Sequence, residues 1–387
     1  MSTTATVPTG RHAGTRVEAV VDLAAITANV RVLLMLMRQH NPLGSLMAVV
    51  KADGYGHGGV QAARAGLDGG AERLGVATPE EALALRDAGI DAPVLAWLWP
   101  HRQPVAEALT RGIELGVSSL AQLDAVLDQA GPAVPGIHVK VDTGLGRGGV
   151  GPREVADVLD AVAAAERSGR VRVVGLMSHL ASADVPGDPS VGEQIATYRR
   201  LLGAAAERGI NPQLRHLANT AGLIDHPESR FDLARVGIGA YGLNPVATPV
   251  PLRPAMTLQA TVALTKRVPA GQGVSYGLTY RTEAETTLAL VPLGYADGIP
   301  RAASNRGEIL VAGRRHRIAG RVAMDQVVVD CGDDPVTAGD PAVVFGPGDA
   351  GEPTAREWAD YCTTIDYEIV TRIGPRVPRR HVGGAQP

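Results

Sequence analysis

Between about residue 44 and residue 244 the chain repeats one unit eight times: a short Val/Leu/Ile-rich run, then a helical pattern. The expected strands are Leu46–Val50, Leu74–Ala77, Val94–Leu98, Glu114–Val117, Ile137–Val141, Val171–Met177, Leu214–Leu217 and Asp232–Val236. Amphipathic segments lie between them, among them Thr78–Ala88, Val105–Arg111, Leu120–Ala130, Arg153–Ser168 and Val191–Arg208. Thr78-Pro-Glu-Glu81 predicts a helix start, with a capping Thr, Pro in the first turn and acids at the positive end of the dipole. Eight units of this spacing predict an α/β fold, a (β/α)8 TIM-like barrel; an open doubly wound sheet is the alternative.

After Leu243-Asn-Pro245 the texture changes. Pro and Gly become frequent, and alternating runs such as Met256–Ala263, Thr287–Pro292, Glu308–Ala312 and Gln326–Val329 replace the long helical patterns. A second, mostly β domain is therefore expected over 245–387, after a barrel over 17–244 and a disordered tail over 1–16. Val17–Val21 is strand-like and precedes a helix from about Leu23 to Gln39; membership of the β domain would make that domain discontinuous. A net charge of -3 gives no reason to expect nucleic acid or an anionic membrane as partner. The apolar run Val32–Met37 is too short to span a bilayer and lacks a cleavage site, so a cytoplasmic protein is expected. Cys331 and Cys362 form no CxxC pair and read as reduced thiols, and no metal-ligand spacing occurs, so no metal is expected.

In a barrel the C-terminal strand ends carry function. Lys51 ends the first strand, ahead of the glycine-rich Gly54-Tyr-Gly-His-Gly58. Desolvation there lowers the amine pKa and suits it to a Schiff base, although a snorkelling lysine explains the position equally well. Lys140-Val-Asp-Thr-Gly-Leu-Gly-Arg147 follows the fifth strand, Ser178-His179 the sixth, His216-Leu-Ala-Asn-Thr220 the seventh, and Leu233-Ala-Arg-Val-Gly-Ile-Gly239 lies at the eighth. Together these build one convergent pocket. The last two predict a phosphate site, with the Thr220 hydroxyl and the amides of Gly237 and Ile238 as donors. Arg235 taken alone reads better as an ion-pair partner of Asp232 or Asp225. Gly144-Leu-Gly-Arg-Gly-Gly149 matches a dinucleotide fingerprint only formally, because it does not open a βαβ fold.

The run Leu46–Gly58 closely resembles the pyridoxal-phosphate attachment site of alanine racemases, and further motifs follow in order through both domains. These are Gly273-Val-Ser-Tyr-Gly277, Gly294-Tyr-Ala-Asp-Gly298, Arg321-Val-Ala-Met-Asp325 and Cys362-Thr-Thr-Ile-Asp-Tyr367. The composition suggests a GC-rich genome, in keeping with an actinobacterial source. The resemblance implies that Lys51 holds pyridoxal 5'-phosphate and that Tyr55 and Tyr367 reach its phosphate. It implies that Arg147 holds the substrate carboxylate and the cofactor's phenolic oxygen, with the Met324 amide on the carboxylate. Arg235 would face the ring nitrogen, His179 and Asn219 would line the cofactor site, and Tyr295 would guard the entrance. Lys140 matches a lysine that many members carry in carbamylated form. Thr220 stands where serine is common, and Ala323 where many have cysteine.

The implied reaction is two-base interconversion of L- and D-alanine, Lys51 acting on the D-face and Tyr276 on the L-face. Tyr276 would come from the partner subunit of a homodimer and be made basic through His179 and Arg235. The implied role is D-alanine supply for peptidoglycan. A racemase acting on serine or lysine remains an alternative. A related-fold decarboxylase lacks the Val-Ser-Tyr-Gly tyrosine, and a non-catalytic carrier lacks the β domain.

Overall fold

The computed structural model describes residues 15–384, so the tail expected over 1–16 falls outside the described residues as far as residue 14. The chain divides into two compact units, one running from Ile26 to Leu252, the other combining the segment up to Ala25 with everything from Arg253 onward. Strand β1 (Val17–Asp22) leads into helix α1 (Leu23–His40). Eight parallel strands follow: β2 (Ser45–Val49), β3 (Arg73–Val76), β4 (Val94–Ala96), β5 (Glu114–Val117), β6 (Gly136–Lys140), β7 (Arg172–Met177), β8 (Leu214–His216) and β9 (Leu233–Val236).

Their order is β8-β7-β6-β5-β4-β3-β2-β9, so β2 pairs with both β3 and the last strand. Between β8 and β9 the ladder gives way to single bonds: Asp232 N–H donates to the Arg215 carbonyl and Arg235 N–H to that of Ala218, both at 3.0 Å. The result is the near-closed barrel that the eightfold alternation predicts. The expected strand that shortens most is the third. Val94–Leu98 stops at Ala96, because the N–H groups of Trp97 and Leu98 both turn onto the Ala77 carbonyl, at 3.2 and 2.7 Å. The helix start at Thr78 forms a full capping box: the Thr78 side chain accepts from Glu81 N–H and the Glu81 carboxylate reaches back to Thr78 N–H.

Strands β2, β4, β5 and β9 are buried throughout, as a parallel sheet covered by helices requires. Met47, Leu95, Met177 and Leu233 pack together, with Trp97 and Leu214 against them. Alongside this apolar cluster, β5, β6, β8 and β9 each bury a polar residue: Glu114, His138, His216 and Arg235.

In the other unit β1 pairs antiparallel with β10 (Met256–Thr261) and parallel with Arg379–Val382, inside a six-stranded sheet. Val17–Val21 therefore lies in the β-rich unit, which is discontinuous in sequence. Alternate residues of β10 are buried, the period of a sheet with one covered face. A second sheet of Leu264–Val268, Thr286–Val291 and Val327–Asp330 is antiparallel throughout. The short helix Ala355–Cys362 opens with a capping box at Thr354 and buries Trp358, whose indole N–H donates to the Val344 carbonyl at 2.6 Å. Trp358→Ala should cost about 3–5 kcal/mol, since it opens a cavity and strands that carbonyl. Urea unfolding of the variant measures this; a loss below about 1 kcal/mol would mean the helix docks without its tryptophan.

Candidate active site

Lys51 follows β2 directly, and the backbone after it is unusual. Ala52, Asp53, Gly54 and Tyr55 all have φ between +53° and +62°, one complete turn of left-handed helix. A non-glycine residue in that conformation costs about 1–2 kcal/mol, and three of the four are not glycine. Two carboxylates brace the turn. Glu81 Oε1 accepts from Ala52 N–H at 2.7 Å, and Asp53 Oδ1 accepts from Gly59 N–H at 2.7 Å. Tyr55 is buried against Tyr241 with ring centroids 4.9 Å apart, His57 stacks on Tyr241 at 4.4 Å, and the Tyr241 hydroxyl donates to the Val49 carbonyl at 3.0 Å. Burial pushes both tyrosine hydroxyls up, so they stay protonated and able to donate. The turn aims the Lys51 amine between two rings, 5.8 Å from the centroid of Tyr55 and 6.0 Å from that of Trp97.

The other strand ends bring cations to the same place. Burial lowers the Lys51 pKa, and the Arg147 and Arg235 charges lower it further against the opposing pull of Glu81. Lys140, at the end of β6, is lowered by burial and then by Arg235 and Arg147. Burial first, then Arg235, Arg147, Lys140 and Lys51, hold His179 well below the ordinary histidine value, so it is neutral. Arg147 itself is exposed at the tip of a loop that Asp142 pins by accepting from Gly144 N–H at 2.9 Å and Gly146 N–H at 3.0 Å. No helix begins there; the next starts at Val155, which removes the geometric basis for dinucleotide binding.

Arg235 is buried and makes no ion pair with Asp232 or Asp225, contrary to the expectation for the arginine alone. Asp232 is three residues away, on the opposite face of an extended chain, and pairs with Arg215 at 2.7 Å. The Arg235 guanidinium instead points inward. Nη1 donates to the His216 carbonyl at 2.9 Å and to His216 Nδ1 at 3.1 Å. Nη2 donates to the carbonyls of Ser178 at 2.6 Å and Leu217 at 3.0 Å and lies 3.2 Å from His179 Nδ1. The Nε–H has no partner among the described residues. Full burial lowers the Arg235 pKa to about 10, which still leaves it charged at neutral pH.

Thr220, Gly237 and Ile238 also come together. The Thr220 hydroxyl accepts from Gly237 N–H at 3.3 Å and Gly239 N–H at 3.4 Å. With both lone pairs engaged, only its O–H remains, and among the described residues that proton has no acceptor. A Cβ on Gly237 would fall 2.3 Å from the Tyr55 hydroxyl, so only glycine lets the two segments meet. Asn219 caps the helix Thr220–Asp225 by accepting from Gly222 N–H at 2.8 Å, which occupies its carbonyl oxygen locally.

In the β-rich unit, three sequence motifs sit side by side. The Ser275 hydroxyl donates to the Arg321 carbonyl at 2.6 Å, Tyr295 N–H donates to Ala323 and Ala296 N–H to Met324, both at 3.0 Å. Tyr276 is 70% exposed, and Met324 and Tyr295 are exposed as well. Tyr367 is half-buried in the helix Asp366–Thr371.

Sequence reasoning missed Glu114 and His138, and it read Glu81 only as a capping residue. A signal for the first two was present: a carboxylate and an imidazole inside strands that are otherwise apolar and buried. Glu81 offered none, because its second role depends on the approach of Ala52 from another unit of the barrel.

An alanine racemase N-terminal domain model matches residues 21–245, and an alanine racemase C-terminal domain model matches residues 255–381. The chain belongs to the alanine racemase family. Alanine racemases are pyridoxal-phosphate-dependent isomerases. An alanine racemase of Thermobifida fusca is 54% identical over 373 residues, spanning 95% of this chain and 99% of that one. The one from Streptomyces coelicolor is 50% identical over 379 residues, 95% of this chain and 96% of its own. The solved alanine racemase from D-cycloserine-producing Streptomyces lavendulae superposes with a TM-score of 0.93 at 50% identity, covering 97% of this chain and 99% of its own.

Two predictions test this barrel chemistry. His138 and His216 are both held neutral, first by burial. Their folded pKa values lie below the unfolded value near 6.5, so the unfolded chain takes up protons that the native state refuses. Stability should therefore fall with pH below about 6.5, with a slope approaching about 3 kcal/mol per pH unit. Urea midpoints between pH 8 and pH 5.5 check this, and a flat profile would show that the imidazoles charge in the fold. Glu81→Ala removes the acceptor of the Ala52, Ala77 and Thr78 N–H groups and should destabilise by about 2–3 kcal/mol, whereas Glu81→Gln keeps one acceptor oxygen and should recover part of the loss. Equal losses in the two would show that both carboxylate oxygens are needed.

Proposed function

We propose that this chain interconverts L-alanine and D-alanine by two-base proton transfer, with Lys51 holding pyridoxal phosphate covalently. The observation that carries the reading is the Lys51 amine at the end of β2 in a barrel of this family, lowered in pKa by burial and then by Arg147 and Arg235.

The residues present fit the cofactor. The unpartnered Arg235 Nε–H calls for a neutral acceptor, which a pyridine nitrogen provides. The unpartnered Thr220 O–H, the Ile238 N–H at the start of a helical turn and the Tyr55 hydroxyl against Gly237 suit a phosphate. Asn219, His179 and the Tyr367 ring complete the proposed cofactor set. The bound cofactor supplies an electron sink that acidifies the substrate α-proton.

Every other step falls to the chain. Arg147 and the Met324 N–H bind the substrate carboxylate, and Tyr295 restricts entry. Lys51 holds or returns the α-proton on the D-face, and its lowered pKa eases release of its own proton. Tyr276 acts on the opposite face, so no single group has to cross a planar carbon. Arg235, itself charged, keeps the ring nitrogen unprotonated, since two adjacent cations repel. His179, neutral and 3.2 Å from Arg235, is placed to link that charge to Tyr276. Tyr276 is 70% exposed and Leu278 beside it 52% exposed, a segment suited to a partner; we infer a homodimer in which Tyr276 serves the other subunit's site. Lys140, lowered in pKa by burial and then by Arg235 and Arg147, is a candidate for carbamylation, which would turn a cation into an anion there. Among the described residues no helix is long and apolar enough to cross a membrane, and the cytoplasm is the proposed location. D-alanine supply for peptidoglycan is the general role of the family and the proposed role here.

The test is incubation of the pyridoxal-phosphate-loaded protein with L-alanine, D-alanine being followed by chiral chromatography and L-serine and L-lysine run in parallel. Rapid turnover of alanine with little of the others supports the reading, and no D-amino acid from any of them overturns it. Lys51→Ala should abolish turnover in both directions, and Tyr276→Phe should bind cofactor normally yet lose at least about 10³-fold in proton abstraction from L-alanine. Full activity of Tyr276→Phe in both directions would exclude the two-base scheme.

A further inference from the structure

The interior of the barrel holds a line of four polar side chains that the proposed reaction does not touch. Arg73 Nη2 pairs with Glu114 Oε1 at 3.0 Å. Glu114 Oε2 lies 2.9 Å from His138 Nε2, His138 Nδ1 lies 2.8 Å from His216 Nε2, and His216 Nδ1 lies 3.1 Å from Arg235 Nη1. From half-buried Arg73 on β3 the line crosses β5, β6 and β8 to β9, and it is buried from Glu114 to Arg235.

Its ends fix every proton in it. A guanidinium can only donate, so His216 Nδ1 must accept. The His216 proton is then on Nε2 and donates to His138 Nδ1, which must accept. The His138 proton is then on Nε2 and donates to Glu114. A carboxylate can only accept, so the direction is consistent from end to end. A proton added to His216 would place an N–H against the Arg235 N–H, and one added to His138 would place an N–H against the His216 N–H. Burial would push the Glu114 carboxyl up, but the His138 hydrogen bond and the Arg73 and Arg172 guanidinium groups hold it below its ordinary value, as the direction requires. Space is reserved for the contact between the rings. A Cβ on Gly175 would fall 2.3 Å from His138 Nδ1 and 2.9 Å from His216 Nε2, so β7 carries no side chain where they meet.

We propose that Glu114, His138 and His216 are positioning residues that act as a one-directional hydrogen-bond relay, holding the Arg235 guanidinium so that its remaining Nε–H faces the cofactor ring. This rests on the proposed function for the identity of the ring, but not for the relay. Arg235 has no carboxylate in contact, and the relay connects it to the charge of Glu114 through two neutral imidazoles. Glu114→Gln removes the anion, while its amide oxygen can still accept from His138 Nε2–H, so the Arg235 end keeps the direction of the line and only the charge behind it is lost.

The experiment is ¹⁵N NMR of the protein labelled at histidine, with and without pyridoxal phosphate, together with a cofactor titration. In the wild type, His138 and His216 should each show a single neutral tautomer with the proton on Nε2. In Glu114→Gln both tautomers should persist, and pyridoxal phosphate should bind at least about tenfold more weakly. Gly175→Ala should separate the two rings and weaken cofactor binding by a similar factor while Glu114 stays charged. A wild-type His216 protonated on Nδ1, or a Glu114→Gln protein with unchanged affinity, overturns the relay. A purely structural role for Glu114 would lower stability without weakening cofactor binding. The tautomers are read without turnover, so a protein with the expected protons and no racemisation would sink the functional reading alone.

Discussion

A guanidinium buried in a barrel with no carboxylate against it is the constraint on which the rest of the site depends. Taking Arg235 out of water is costly unless its donors are met, and four of its five N–H groups go to the carbonyls of Ser178, His216 and Leu217 and to imidazole nitrogens. Those carbonyls lie at the ends of β7 and β8. The same group, on β9, therefore ties that strand to the ends of β7 and β8 across the gap in the sheet ladder and supplies a positive field at the barrel mouth. Lys51, Lys140 and His179 all feel that field, and each is held below its ordinary pKa. A lysine that must be a nucleophile and a base near neutral pH needs such surroundings.

The second cost in the structure is conformational. Three non-glycine residues in a left-handed turn after Lys51 store several kcal/mol of unfavourable backbone energy at about 1–2 kcal/mol each. That conformation persists because the groups around it over-determine it: Glu81 on the Ala52 N–H, the Asp53 carboxylate on the Gly59 N–H beyond the turn, and the Tyr55–Tyr241–His57 stack on its buried side. Strain after Lys51 and desolvation at Arg235 are both offset by bonds that come from other parts of the barrel. The arrangement is thus a property of the near-closed barrel, not of the segment around Lys51.

Much of the barrel was legible because its signals are local. Short apolar runs at regular spacing give eight strands, and Thr78-Pro-Glu-Glu81 gives a helix start that forms as written. Lys51, Lys140, Arg147, His179, Thr220 and Arg235 stood out because each follows or ends a strand, and in a parallel barrel all such ends face one way. Glu114 and His138 did not stand out, since they sit inside strands, where a polar residue looks like an imperfection in the pattern. The partner of Arg235 was misjudged for a related reason. Asp232 is near in sequence, yet the strand period puts it on the other face.

The amino-acid sequence by itself determined which residues lie at the strand ends, because strand period and helix capping are short-range properties of the backbone. It also carried the family, through motifs that run in order across both units. Tertiary structure alone decided which of those polar groups are bonded to one another and where their protons lie. The hydrogen-bond line from Glu114 to Arg235 spans four strands and more than a hundred residues, and its direction follows from having a donor-only group at one end and an acceptor-only group at the other. Hydrogen-bond direction belongs to the assembled network, and no single segment of the chain contains enough of that network to specify it.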